Sequence, residues 1–109
     1  MSTIKMSTKN IGDKLRKLRE GKELPLRKVA ALLDIDVAIL SKMERGERRL
    51  TKGIVSKLAK IYGHDADELQ VLFLSDKILY EVQDEEFGIE ALKVAEKRMN
   101  YLNRNKKKK

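Results

Sequence analysis

The sequence contains no cysteine and no tryptophan, and it has one proline and one histidine among 109 residues. Without cysteine there is no disulfide framework and no thiolate metal site, which is consistent with a reducing compartment. No hydrophobic run approaches membrane-spanning length, and residues 1–10 contain no apolar signal core. We therefore expect a cytoplasmic protein that does not associate with membranes.

Catalytic groups are equally scarce. His64 is the single histidine, no glycine-rich phosphate loop is present, and the acids at 84–86 have no companion base. A lone histidine between two helices is more often a loop residue than a catalyst. The sequence predicts that the protein is not an enzyme and needs no cofactor or metal.

The apolar residues recur at helical spacing, and no stretch of alternating β-branched residues resembles a strand. Five helices are predicted over about residues 8–74, where they would form one compact bundle. The predicted ranges are 11–21, 25–33, 37–45, a helix after Thr51 ending at Gly63, and one from Asp65 to about 74.

The segment 24–46 is the most informative part of the chain, since it predicts two short helices joined by a tight turn. Pro25 suits the first turn of the first helix. Asp34 stands where the turn needs a positive φ, Asp36 is a good N-cap, and Gly46 ends the second helix.

Residues 75–103 are predicted to form a helical extension, followed by a basic, disordered tail at 104–109. The extension carries apolar residues at heptad-like spacing, which predicts a dimer interface; packing against the same chain is the alternative. The predicted dimerisation residues are Ile78, Leu79, Val82, Leu92, Ala95, Met99 and Leu102.

Charge is unevenly distributed. The net charge is +8, and residues 1–60 carry 16 Lys and Arg against 7 Asp and Glu, while residues 61–105 carry 5 against 10. A basic front half beside an acidic back half is typical of a chain that meets a polyanion with one end, although solvated helix surface would look similar.

Residues 11–73 resemble the helix-turn-helix domain of phage Cro and repressor proteins, the XRE-type family. Ala30 occupies the small-residue position of the first motif helix, Glu44-Arg45-Gly46 matches the acidic-x-Gly ending of the second, and LAKIYGHDADEL matches the passage from helix four to helix five. Two positions depart from the family pattern: Asp34 replaces the turn glycine, and Leu26 replaces a glutamine that often contacts phosphate.

The resemblance implies an all-α fold: a five-helix, phage-repressor-like helix-turn-helix bundle with a C-terminal helical extension. It also implies an ion pair between Arg19 and Glu44 that anchors helix one to helix three.

By matching position, the resemblance assigns base contacts in double-stranded DNA to the N-terminal part of helix three. The implied base-reading residues are Val37, Ala38, Ile39, Ser41 and Lys42, of which Ile39 is equally suited to the core. The expected phosphate-binding residues are Arg27, Lys28, Arg45, Arg48, Arg49 and Lys52.

We therefore expect a sequence-specific transcriptional regulator, a small dimeric repressor-like protein on a palindromic operator. The alternatives are an antitoxin or another module that binds both DNA and a protein partner, or a restriction–modification controller. Nothing after residue 74 is long enough for a ligand-sensing domain.

Overall fold

The computed structural model describes residues 10–107, and this part of the chain is entirely helical outside its turns and loops. The predicted all-α class is confirmed. The helices are α1 (Ile11–Gly21), α2 (Leu26–Leu33), α3 (Val37–Glu44), α4 (Lys52–Tyr62), α5 (Ala66–Val82) and α6 (Gly88–Lys107).

The predicted boundary after residue 74 falls inside a helix. Helix α5 runs without interruption from Ala66 to Val82, so the first part of the expected extension belongs to the fifth helix. No glycine or proline occurs within α5, so nothing in the backbone stops the helix where the composition changes. The described residues thus contain six helices, and the predicted five-helix arrangement is corrected to that extent.

Side chains define where several helices begin. Asn10, Asp36 and Thr51 each accept a backbone N–H from the first turn of α1, α3 and α4, at 2.9, 2.8 and 3.2 Å respectively. Pro25 lies one residue outside α2, with an extended backbone, rather than in its first turn.

The start of α1 also has a distant partner. The Asp76 carboxylate, on α5, accepts the backbone N–H of Ile11 at 2.8 Å. Partial burial raises the pKa of Asp76, and the nearby Asp13 carboxylate adds to the effect, while the hydrogen bond from Ile11 opposes it. This contact fixes the middle of α5 against the first turn of α1.

The chain divides into two compact units, and the boundary between them lies after Asp76. The core of the first unit is built from α1 to α5, and its most deeply buried large side chains are Leu15, Leu40, Leu58, Tyr62 and Leu69. These residues come from four different helices. Burial of one face of each helix therefore stabilises the unit.

The second unit contains the end of α5, a tight turn and α6. A Cβ at Gly88 would overlap the carbonyl oxygen of Val82, so the turn needs glycine there. Every residue from Ile89 to Lys106 is exposed.

The sequence predicts a disordered tail from residue 104, but α6 continues to Lys107. No glycine or proline follows Gly88, and basic residues at a helix C-terminus are favoured by the helix dipole. Residues 108–109 lie outside the described part of the chain. None of the described helices is both long enough and apolar enough to cross a membrane.

Candidate nucleic-acid interface

The turn between α2 and α3 is held by a left-handed residue and two backbone hydrogen bonds. Asp34 has φ +58°, as the sequence predicts. The N–H groups of Asp34 and Ile35 donate to the carbonyls of Ala31 and Ala30, at 3.1 and 3.0 Å. This pattern closes a helix that ends in a left-handed residue, a place usually taken by glycine. Asp34 therefore preserves the turn geometry.

Small and apolar side chains fix the angle between the two helices of the motif. Ala30 is buried where the helices approach, and Val29, Leu40 and Met43 fill the space around it. A larger side chain at position 30 would force the helices apart. The N-terminal part of α3 is thereby held outward while its C-terminal part lies in the core.

The C-terminal end of α3 is also closed by backbone hydrogen bonds. Gly46 has φ +78°, and its N–H donates to the Met43 carbonyl at 3.2 Å. The N–H of Glu47 donates to the Lys42 carbonyl at 2.8 Å. The helix therefore stops at Glu44 and the basic loop starts at a defined point.

Backbone contact between α1 and α3 is unusually close. A Cβ built at Gly12 would lie 2.5 Å from the Glu44 carbonyl oxygen and 2.9 Å from that of Met43. Both atoms belong to the backbone, so they cannot move aside as the end of a flexible side chain does. Gly12 permits α1 to lie directly on the end of α3, and sequence reasoning did not identify it.

Arg19 and Glu44 form a bidentate ion pair, the pairing that the family resemblance implies. The Arg19 Nε donates to Glu44 Oε2 at 2.7 Å, and an Arg19 terminal nitrogen donates to Oε1 at 3.1 Å. The other terminal nitrogen donates to the Leu24 carbonyl at 2.9 Å. The hydrogen bond with Glu44 raises the pKa of Arg19, although partial burial opposes it.

This ion pair connects three parts of the fold. Glu44 belongs to α3, Arg19 to α1, and Leu24 to the loop before α2. The Glu44 side chain is only 5% exposed and that of Arg19 12% exposed, so solvent screens the pair little. The orientation of α3 is therefore fixed by a charged contact as well as by core packing.

Tyr62 lies near this pair and is fully buried, but its hydroxyl has no hydrogen-bond partner among the described residues. Burial raises the pKa of Tyr62, and the charge of Glu44 raises it further. The hydroxyl therefore stays neutral near neutral pH, and its unmet hydrogen bond works against stability.

The residues expected to read bases differ in their exposure. Val37, Ala38 and Lys42 are exposed on α3, whereas Ile39 and Ser41 are half-buried. Ile39 packs against the core cluster. Ser41 accepts a hydrogen bond from Arg45. The exposed surface of α3 thus offers two apolar side chains and one ammonium group.

The cations expected to bind phosphate lie on exposed segments that flank α3. Arg27 and Lys28 are in the first turn of α2, Lys52 is the first residue of α4, and the other three lie just after α3: Arg45, Arg48 and Arg49. Arg45 is paired with Glu47 at 3.0 and 3.2 Å, which raises the pKa of Arg45 and lowers that of Glu47. A phosphate would have to compete with Glu47 for this guanidinium.

The predicted dimerisation residues are almost all exposed within a single chain. Val82 is half-buried, and the others lie open to solvent on α5 and α6: Ile78, Leu79, Leu92, Ala95, Met99 and Leu102. Residues this apolar are costly to leave in water. Helix α5 adds two exposed apolar residues that sequence reasoning missed, Val71 and Leu74, at 67% and 44% exposure.

A pair of short helices with a tight turn, an outward α3 tip and flanking cations defines a helix-turn-helix protein. A family model described as a helix-turn-helix domain matches residues 10–72, more than half of the chain. The chain belongs to this family, which is of the XRE/Cro–C1 type of DNA-binding domains. Neither the curated proteins nor the solved structures include a significant match.

Proposed function

We propose that this chain is a transcriptional regulator that binds a two-fold symmetric operator in double-stranded DNA as a homodimer. The observation that carries the proposal is the helix-turn-helix itself, with an exposed α3 tip between two groups of cations. Membership of a DNA-binding family supports the same assignment. Dimerisation and a palindromic operator each have an experimental test, given below.

Base recognition is assigned to α3. Val37 and Ala38 can make apolar contacts, which suit the methyl group of thymine, and Lys42 can donate to guanine O6 and N7. Ser41 accepts a hydrogen bond from Arg45, and its own O–H can still donate to a base acceptor. Ile39 can contribute only at the edge of the groove, since it is half-buried. Recognition would therefore depend on methyl contacts, on Lys42 and on DNA shape.

Affinity is assigned mainly to phosphate contacts by Arg27, Lys28, Arg48, Arg49 and Lys52, with Arg45 as a further candidate. All six are exposed. They lie in the first turn of α2, in the loop after α3 and at the start of α4, where backbone-binding side chains would position the protein without reading sequence.

The role of Lys42 can be tested by selecting bound sequences from a random duplex pool. We expect the wild type to select a palindrome and Lys42→Ala to lose its preference at one symmetric position, at a cost of about 1–3 kcal/mol per contact. Lys57→Ala, an exposed lysine of α4, is the matched control and should leave the selected sequence unchanged.

An unchanged preference in Lys42→Ala would assign this lysine to phosphate instead. Selection of a single half-site by the wild type would contradict dimeric binding. These two outcomes are independent of each other.

The dimer is assigned to the exposed apolar residues of α5 and α6. A single motif reaches only one half-site, whereas two copies can place their recognition helices about 34 Å apart on one face of the duplex. Leu92, Ala95, Met99 and Leu102 follow one another at intervals of three and four residues, so they lie on one side of α6.

Analytical ultracentrifugation tests this assignment. We expect a wild-type dimer at high micromolar concentration and a monomer for Leu92→Glu/Met99→Glu, because two charges would be buried in each copy. Val94→Glu changes an exposed apolar residue on a different side of the same helix and should remain dimeric. A wild-type monomer at that concentration would overturn the assignment.

The same exposed apolar residues would also suit a different protein, which favours a dual DNA- and protein-binding module such as an antitoxin as the second candidate function. Purification from the native host distinguishes the two. A stoichiometric second protein whose binding is lost in Leu92→Glu/Met99→Glu would support the second candidate.

A further inference from the structure

Helix α6 carries a strong positive charge. The net charge of the whole back half of the chain conceals this, because the acids and the cations are counted together. The stretch 88–107 contains six Lys or Arg and two Glu, whereas the stretch 61–87 contains one Lys and eight Asp or Glu. The acids therefore precede α6, and the helix itself is basic. Complementarity to a polyanion is a property of this element.

Three of these cations share one face of the helix. Lys93, Lys97 and Arg104 are separated by four and seven residues, which brings them to the same side over about 16 Å of helix length. Asn100 lies between them and adds an amide donor. We call Lys93, Lys97, Asn100 and Arg104 the basic stripe.

The basic stripe is open to solvent. All four side chains are exposed, and within residues 10–107 none of its three cations takes part in an ion pair. Lys93 and Lys97 are a like-charge pair four residues apart, and the two acids of α6, Glu90 and Glu96, each lie three residues from Lys93 without forming an ion pair with it. The helix dipole explains basic residues near the C-terminus, but it does not explain Lys93 in the second turn.

The stripe also lies on the opposite side of α6 from Leu92, Ala95 and Met99. A basic face opposite an apolar one also occurs in helices that lie at a membrane surface, where the cations attract anionic lipids. The DNA-binding domain in the same chain favours nucleic acid as the ligand of this stripe. An apolar side covered by protein leaves the stripe facing outward, where a nucleic-acid backbone can reach it.

We infer that the basic stripe is a second, sequence-independent DNA-binding site whose ligand is the phosphate backbone of duplex DNA. This site is separate from the helix-turn-helix contact, because the basic stripe reads no bases and belongs to a different helix. Over 16 Å of its axis a duplex carries about nine phosphate charges on its two strands together, and the stripe would face the part of them that lies on one side. Its role is to add non-specific affinity.

The test is the salt dependence of full-length protein binding to a random-sequence duplex. Each phosphate contact contributes about −0.9 to the slope of log affinity against log salt concentration. Lys93→Gln/Lys97→Gln/Arg104→Gln is expected to make the slope shallower by about 2.7 per chain. Glutamine keeps the helix propensity, and circular dichroism verifies that the helix is retained.

The matched control is Arg16→Gln/Lys57→Gln/Lys60→Gln, which removes the same charge from exposed positions of α1 and α4. It should leave the slope unchanged. An unchanged slope in the stripe variant, or the same flattening in both variants, would overturn the inference while base selection by α3 still stood. Failure of the wild type to bind any duplex would overturn the proposed function as well.

Lipid is the competing ligand class. Vesicles of phosphatidylglycerol and phosphatidylcholine in equal parts provide the comparison. Vesicle binding that the stripe variant loses, with DNA binding unaffected, would also overturn the inference.

Discussion

Gly12→Ala is expected to lower the free energy of unfolding by about 1–2 kcal/mol, although alanine is the better helix former. Alanine in a helix gains about 1 kcal/mol over glycine. The new Cβ, however, would lie 2.5 Å from one carbonyl oxygen of α3 and 2.9 Å from another. Overpacking against atoms that cannot rotate away costs about 1–3 kcal/mol and sometimes more. Urea denaturation measures the change.

Gly21→Ala is the matched control for this prediction. Gly21 ends the same helix, and nothing lies within 4 Å of a Cβ built there. We expect its stability to be unchanged or slightly raised. Equal stability of Gly12→Ala and Gly21→Ala would show that α1 does not need its close approach to α3.

Gly12→Ala should also weaken DNA binding under conditions where the protein remains folded. The displaced α1 would push on the C-terminal end of α3, which would move Val37, Ala38 and Lys42 away from the base edges they are proposed to contact. Binding to the selected operator, measured well below the unfolding temperature, separates this effect from loss of folded protein.

Glu44→Ala is expected to destabilise the protein by about 3–5 kcal/mol, because it leaves the Arg19 guanidinium nearly buried without its carboxylate. Arg19→Met/Glu44→Leu removes both charges and should be more stable than Glu44→Ala. Chemical denaturation of Arg19→Met, Glu44→Leu and the double variant Arg19→Met/Glu44→Leu gives the coupling energy.

Two controls support the Glu44 experiment. Glu47→Ala breaks another Arg–Glu pair, but both partners are exposed, so no measurable loss of stability is expected. Tyr62→Phe removes the unpartnered hydroxyl beside the Arg19–Glu44 pair and should leave stability unchanged or raised. If Glu44→Ala behaves like Glu47→Ala, the buried pair does not stabilise α3.

The elements that sequence reasoning predicts well depend on local interactions. Asp36 and Thr51 cap helices through hydrogen bonds within three residues, and Asp34 and Gly46 adopt positive φ because of the turns around them. Apolar spacing likewise identifies the buried face of α1 to α4. The motif at 24–46 could therefore be placed from its residues alone.

Contacts between distant residues could not be obtained in this way. Asp76 bonds to the backbone of Ile11 across 65 positions, and Gly12 contacts α3 through backbone atoms that carry no sequence signal. The Arg19–Glu44 pair was accessible only through the family resemblance. The continuation of α5 past residue 74 was missed because a change of composition was interpreted as a boundary.

Helix α6 buries none of its apolar residues within one chain, and this has a thermodynamic consequence. An isolated helix of this length is only marginally stable in water, because its helix propensity alone stabilises it little. In proteins most of the stability of a helix comes from tertiary packing. In the proposed dimer that packing would come from a second molecule, and the helix–coil equilibrium of α6 would then be linked to association by mass action. The fraction of α6 that is helical would then rise with the concentration of the protein. The protein could respond to its own cellular concentration in this way without a small-molecule ligand.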